Sequence, residues 1–314
     1  MFIDVNRYRY RGERKKKKKW VIPLVVISAG LFVFAAWRLH LPDRWRALFQ
    51  KTPAASSLSQ LWNNRQYEAI IARCDEVLSG SPLDYSVLVY RGFSYFYRAV
   101  SEVSMEDRVP FLDETVVSLR RALLVENGQW EPEINYILGK AYFHKGKYYF
   151  DLTVKYLARA LDLGFKAEDI YDYLGLAYTQ LGLVQEGLAY FLKALDSNPS
   201  DILLLTVGQS YAQLKQNREA EEYLIRTVNK TDDPAVEKKA RSLLGQLYFE
   251  KQDYFKAEKE YLKIIALDAQ SADAHFYLGE IYQKLNDPIK ARAEWRKTLQ
   301  IDPSHYGAKL RYYK

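Results

Sequence analysis

Along most of the chain, apolar side chains recur every three or four residues, the period of a helix with one buried face. Leu203, Leu204, Val207, Tyr211 and Leu214 form one such stripe, and Ile70, Ile71, Cys74, Val77 and Leu78 form another. The stripes come in pairs, and the pairs repeat. Within them a glycine is followed three residues later by a tyrosine: Gly92 and Tyr95, Gly139 and Tyr142, Gly175 and Tyr178, Gly208 and Tyr211, Gly245 and Tyr248, Gly279 and Tyr282. The glycines are 47, 36, 33, 37 and 34 residues apart, so the first interval carries an insertion. After Gly175 come Gly182, Gly187, Phe191, Ala194 and Pro199; after Gly279 come Ala291, Trp295, Thr298 and Pro303 at matching offsets. Ala257, Tyr261 and Ile264 follow Gly245 in the same way, and Ala220, Leu224 and Thr227 follow Gly208. The unit of Gly139 needs two extra residues before continuing through Leu157 and Ala160.

This pattern predicts antiparallel helix pairs. Small residues let two backbones approach, and Gly175 is expected to face Gly187, with large aromatics filling the gap between successive pairs. Asn198-Pro199-Ser200-Asp201 supplies a helix stop followed by an N-cap. The L-G-x-x-Y runs at 138–142, 174–178, 244–248 and 278–282, with the downstream Ala, aromatic and Pro, resemble the tetratricopeptide repeat, a helix–turn–helix unit of about 34 residues. The resemblance implies an all-α solenoid, a right-handed superhelix of about six to seven repeats, over residues 58–304. The first unit, from Leu58 to Pro82, shows mainly its second helix, at Tyr67 to Ile71. The extra residues between Gly92 and Ala122, among them Met105, Glu106, Asp107 and Pro110, form either a longer loop or added helical turns. Residues 305–314 are expected to be a frayed tail.

Such a solenoid binds through a concave surface made by the first helix of each pair. The resemblance puts protein or peptide partners there, against Val89, Phe93, Phe96 and Tyr97 in the Gly92 unit and Tyr136, Lys140, Phe143 and His144 in the next. Asp172, Leu176, Thr179 and Gln180 follow, then Gln209 and Gln213, so the face is aromatic toward its amino-terminal end and polar beyond. Aromatics in such numbers are more often core than contact. Some members of the family clamp a peptide carboxylate with Lys and Asn on adjacent first helices; only Lys140 stands suitably here, and that activity is not carried over. His144 reads as an exposed helix-end histidine, Cys74 as a small buried side chain, and Glu221-Glu222 and Asp232-Asp233 as solvating or capping acids. The chain has no P-loop, no G-x-G-x-x-G and no G-x-S-x-G, and no cofactor or metal is expected. The reading is a non-enzymatic scaffold.

Composition changes the picture at the amino terminus. Residues 1–19 carry nine basic and two acidic side chains, the whole of the +7 excess, leaving the remainder neutral. Nucleic acid is therefore not expected as the partner of a folded face; use of the basic tail on an anionic polymer, or a platform serving an enzyme in trans, are the alternatives. Trp20 to Trp37 is uncharged, and as a helix it would span roughly 27 Å of a bilayer core of about 30 Å. Residues 20–37 are expected to be a retained transmembrane helix, with a cleaved signal peptide as the rival reading. Nine basic residues before it, against Arg38, Arg44, Arg46 and Lys51 after it, put residues 1–19 in the cytoplasm as a tail that attracts anionic lipids. Residues 38–57 then form a juxtamembrane linker, and the repeats stand outside the cytoplasm, at the cytoplasmic membrane of a bacterium.

Overall fold

The structure, a computed structural model, describes residues 53–125 and 128–313. The basic tail, the expected membrane span and most of the linker lie outside the described residues. Among the described residues no helix is long and apolar enough to cross a membrane. The chain divides into two units, residues 1–60 and 61–314. Apart from the start of the first helix, the described residues belong to the second unit.

The described residues form fifteen α-helices and no strand: α1 Pro53–Asn63, α2 Tyr67–Gly80, α3 Tyr85–Ser101, α4 Met105–Ala122, α5 Glu131–Lys145, α6 Phe150–Asp162, α7 Ile170–Gln180, α8 Val184–Ser197, α9 Asp201–Gln213, α10 Asn217–Lys230, α11 Pro234–Glu250, α12 Tyr254–Leu267, α13 Ala272–Lys284, α14 Pro288–Ile301 and α15 Tyr306–Tyr312. From α3 to α14 each odd helix packs on the even one after it, and each even helix packs on the next odd one. First helices of adjacent pairs also touch, α3 with α5, α5 with α7 and α9 with α11, making one face of the array. This is a tetratricopeptide-type solenoid.

Local chemistry explains the boundaries. Ser200 caps α9 by accepting from the Leu203 amide at 3.1 Å, and Asp233 caps α11 by accepting from Ala235 at 2.8 Å. The turns inside the pairs share a left-handed residue seven positions after the repeat glycine: Gly182 at φ 82°, Lys215 at 57°, Gln252 at 62° and Asn286 at 59°. Each turn closes on the tyrosine that follows the glycine, as when Leu183 N donates to Tyr178 O and Gln216 N to Tyr211 O, both at 2.9 Å. That is the bonding that satisfies the last carbonyls of a helix through a left-handed residue. Only one of these four turns uses glycine, so the others hold a side chain where glycine is normally preferred.

The insertion proves helical. It lengthens α3 to 17 residues and α4 to 18, with Pro110 inside α4. Arg98 braces the extension by pairing with Glu68 at 2.7 Å and Glu102 at 3.0 Å beneath the Phe111 ring. The first helix begins at Pro53, within the segment expected to be linker. At the other end the expected frayed tail is instead the short helix α15, capped by His305 and packed through buried Ala308.

The repeat glycines have a single function. A Cβ built on Gly175 would lie 2.5 Å from the Phe191 ring, and one on Gly139 would lie 2.5 Å from Leu157. Leu119 crosses Gly92 in the same way, Leu224 Gly208, Tyr261 Gly245 and Trp295 Gly279. The expected approach of Gly175 and Gly187 holds, since a Cβ on Gly187 would lie 2.8 Å from the Gly175 carbonyl, and one expectation is corrected: the residue that crosses Gly175 is the aromatic Phe191. The large aromatics Phe191, Tyr261 and Trp295 therefore seal the interior of a pair, although Tyr261 also stacks on Tyr277 of the next pair with centroids 5.1 Å apart. Between pairs the apolar core runs on without a break, from Leu205 and Leu224 through Val236 and Leu244 to Leu278, and polar ties are added to it: Tyr248 donates to Glu221 at 2.9 Å, and Tyr282 donates to Glu258 at 2.7 Å. Glu221, read from sequence as a solvating acid, thus joins two repeats and also meets Lys251 at 2.8 Å.

Gly175→Ala should destabilise the protein by about 1–3 kcal/mol, the usual cost of overpacking, because neither the ring nor the backbone beneath it has room to give. Urea unfolding measures this. An unchanged midpoint would mean that the α7–α8 contact opens without cost.

Candidate functional site

The first-helix face at α3, α5 and α7 gathers aromatic and charged side chains around one lysine. Lys140 lies in the second half of α5 and is 9% exposed. Its ammonium donates to Asp169 Oδ2 at 2.8 Å and to the Tyr136 hydroxyl at 3.1 Å. It also lies over three rings, 4.9 Å from the centroid of Tyr173, 5.0 Å from Tyr136 and 6.0 Å from Phe96. Tyr136 in turn donates to Asp169 Oδ1 at 2.6 Å. Asp169 occupies the N-cap position of α7 but makes no capping bond; its carboxylate is turned across to α5. Burial disfavours the lysine's charge, yet Tyr173, Tyr136 and Asp169 outweigh it and hold the ammonium well above its ordinary pKa.

Around this centre the aromatic wall continues. Phe143 meets Tyr173 edge-on at 4.9 Å, and Tyr136 packs on Phe165 at 4.7 Å. Tyr97 stacks on Tyr67 at 5.3 Å and meets Trp62 at 5.6 Å, and burial pushes its phenol up to about 12. His144 is half-buried, against the expectation of an exposed helix end, with Nε2 3.4 Å from the Tyr173 hydroxyl and its ring beside Phe96 and Phe143. Burial first, then the charges of Lys140 and Arg108, bring its pKa down to about 3, so the imidazole is neutral.

Of the residues placed on this face by register, Val89, Phe93 and Phe96 are buried at 0, 1 and 3% exposure and belong to the core. Tyr97, Tyr136, Phe143, His144, Asp172, Leu176, Thr179 and Gln209 are half-buried, while Gln180 and Gln213 are exposed. The structure brings Phe96, Tyr136, Lys140, Phe143 and His144 into one cluster and leaves Gln209 and Gln213 apart from it on α9. Asp169 and Tyr173 were missed by register, the first lying before the helix and the second counting as packing. Asp172, in the first turn of α7, is the odd member. Burial, then Asp169, pushes its carboxyl up to about 7; neither a hydrogen bond nor a cation acts on it.

Two other features lie away from this cluster. An open hollow of about 590 Å³ lies between the end of α4, α5 and α6, and part of its polar lining is paired: Asn135 donates to the Glu131 carbonyl at 2.7 Å, and Arg159 meets the Glu131 carboxylate at 2.8 Å. Cys74 is buried on α2, and burial pushes its thiol up to about 12, which leaves it unreactive.

Three stretches match family models. Residues 245–286 match one described as TPR repeat, and residues 169–201 and 272–305 match two described as Tetratricopeptide repeat. Among solved structures, the C-terminal part of a TPR repeat-containing protein from Cytophaga hutchinsonii is 17% identical, with a TM-score of 0.60 over 82% of this chain and 98% of that one. YrrB, described as a TPR protein with an unusual peptide-binding site, is 20% identical, with a TM-score of 0.51 over 61% of this chain and 97% of its own. A MamA structure is 19% identical, with a TM-score of 0.50 over 59% and 97%. No curated protein matches the chain. The chain carries tetratricopeptide repeats, and the likeness to these structures is one of fold.

The Asp172 carboxyl gives a pH signature. Its folded pKa of about 7 lies above the ordinary carboxylate value, so between pH about 4 and about 7 the folded chain binds more protons than the unfolded one. Stability contributed at this site is therefore lost as pH rises through that window. The negative charge of Asp169 beside it adds to the effect of burial. Asp172→Asn should match wild type near pH 4, become progressively more stable than it up to about pH 7, and keep a level advantage above. Denaturant midpoints at a series of pH values measure the gap. A gap that does not change with pH would mean that the carboxyl is solvated.

Proposed function

Taking the chain as an array of tetratricopeptide repeats, we propose that it is a non-enzymatic scaffold that holds a segment of another protein against the first-helix face at α3, α5 and α7. The observation that supports this reading is the cluster around Lys140. A buried ion pair with three aromatic rings around the ammonium is an expensive arrangement for stability alone, and it stands on the face through which such arrays bind partners. The half-buried side chains beside it, Tyr97, Phe143, Asp172 and Leu176, offer apolar area and polar contact in one place. YrrB, of similar fold, is described as having a peptide-binding site.

The proposal extends to location. Residues 20–37 anchor the chain in the cytoplasmic membrane of a bacterium, residues 1–19 lie in the cytoplasm, and the repeats serve a cell-envelope assembly such as a secretion, pilus, division or flagellar-motor complex. The uncharged length of the span and its nine preceding basic residues support this.

A photo-crosslinking residue placed at Gln180 or Gln213, both exposed on first helices, should capture the same partner protein in living cells; one at Lys259, exposed on the second helix α12, should not. Capture at Lys259 alone would move the binding surface to the opposite face. For location, alkaline phosphatase fused after Lys314 should be active in bacterial cells, while a fluorescent protein that matures only in the cytoplasm should stay dark. The reverse pattern would overturn the orientation and transfer the search for partners to the cytoplasm.

A further inference from the structure

The repeat register runs on into α15. Ala240, Ala274 and Ala308 stand 34 residues apart and are all buried, so α15 is built as the first helix of a further unit. Its inner side packs back on α13: a Cβ on Gly307 would lie 2.8 Å from the Phe276 ring, and Arg311 pairs with Glu280 at 2.8 Å. The position 34 residues after Gly279, however, holds Tyr313. A second helix of the regular kind cannot close on α15, because a phenol ring stands where the crossing side chain needs bare backbone. The outer side of α15 carries Tyr306, Leu310 and Tyr313, spaced four and three residues apart on one stripe and 72, 43 and 77% exposed.

Charge distinguishes this end of the array. Residues 288–314 hold seven basic side chains and two acids, whereas residues 20–314 together are neutral. Three of the bases are exposed and lack an ion pair among the described residues: Arg292 and Arg296, one turn apart on α14, and Lys309 beside the stripe on α15. Arg292 faces α15, donating to the Tyr312 carbonyl at 3.3 Å with its guanidinium 5.7 Å from the centre of that ring. The acids of this end are already engaged, Glu294 by His275 and Lys297, and Asp302 by Ser304. An apolar stripe flanked by unmatched cations fits a helix with apolar positions at the same spacing and carboxylates along its edge. A second copy would bring its own positive end against this one. One leucine between two tyrosines is also little apolar area for holding a bilayer surface. We propose that the α14–α15 end of the array is a second docking surface, and that its occupant is an acidic amphipathic helix of a partner protein. The apolar side of that helix lies on Tyr306, Leu310 and Tyr313, and its carboxylates meet Arg292, Arg296 and Lys309. This surface and the cluster around Lys140 share no residue.

Random peptides long enough for several helical turns, displayed and selected on the full-length chain in detergent micelles, test this, with counter-selection on the variant Arg292→Gln, Arg296→Gln, Lys309→Gln. The basic tail is common to both proteins, so its attraction for acidic peptides cancels. Peptides surviving counter-selection should carry Asp or Glu beside apolar residues at helical spacing. Replacing those acids by amides, or Leu310 by Ser, should each weaken binding about tenfold or more, the scale of a charge-assisted contact or of a buried leucine. All four substituted positions are exposed, so the variants should fold as wild type does, which circular dichroism confirms. Survivors without acidic residues, survivors indifferent to Leu310→Ser, or no survivors at all would overturn the proposal. So would a dimer in sedimentation that Leu310→Asp splits, which gives the face to a second copy. A photoactivatable phosphatidylglycerol that labels residues 306–313 when no peptide is retained would overturn it in favour of lipid. None of these outcomes bears on the crosslinks at Gln180 and Gln213, so the scaffold reading stands or falls separately.

Discussion

The array depends on one close approach, repeated six times: a glycine on the first helix of a pair lies under a large side chain of the second. At Gly92, Gly139, Gly175, Gly208, Gly245 and Gly279 the partner is Leu119, Leu157, Phe191, Leu224, Tyr261 or Trp295. The partner varies from leucine to tryptophan because only its contact with bare backbone is constrained. The glycine does not vary, because the missing Cβ lets the two helices close. Once this distance is set, the turn between the helices has little freedom. That explains why the turn tolerates Lys215, Gln252 and Asn286 at positive φ: the packing on either side outweighs a local cost of about 1 kcal/mol or somewhat more.

Seams within pairs and seams between pairs share one apolar core, and what distinguishes the latter is a polar tie added at a repeated position. Tyrosine hydroxyls of one pair reach carboxylates on the preceding second helix, at Tyr248–Glu221 and Tyr282–Glu258. Hydrogen bonds to ionised acids have directional demands that apolar contacts lack, so they fix the register of one pair on the next. The same tyrosines also close the turn of their own helix through their carbonyls. One residue type at one repeat position thus links local, intra-pair and inter-pair structure.

How much of the fold was legible in the sequence depends on which features repeat. Glycine, tyrosine and the downstream small and aromatic positions recur, so the helix pairs, their boundaries and the cap at Ser200 could be read directly. The approach of Gly175 and Gly187 was legible too, but the large side chain that crosses each glycine was not, because spacing along the chain does not say that an aromatic turns into its own pair rather than toward the next. The helical insertion was open between two readings for a similar reason, since Pro110 argues against a helix interior and only the bracing by Arg98 shows why one forms. At the site, register brought out Tyr136, Lys140, Phe143, His144 and Asp172. It missed Asp169, because an aspartate before a helix reads as a cap, and no sequence signal tells that its carboxylate turns away to a lysine 29 positions earlier.

The site lies where the repeat is least regular, a consequence of the same packing. From α7 onward the repeat glycines recur every 33 to 37 residues, and α9 carries Gln209 and Gln213. Before α7, α3 and α4 are extended, and a short 3-10 turn at Lys147–Tyr149 separates α5 from α6. These additions leave the glycine contacts intact, at Gly92 on Leu119 and at Gly139 on Leu157, so they do not disturb the array. They do add helix length around α5, and it is there that the neighbours of His144 come from three helices, with Phe96 on α3, Tyr173 on α7 and Arg108 on α4. The cluster around Lys140 thus stands where the array departs from its own repeat, between an extended pair and the first pair of regular length.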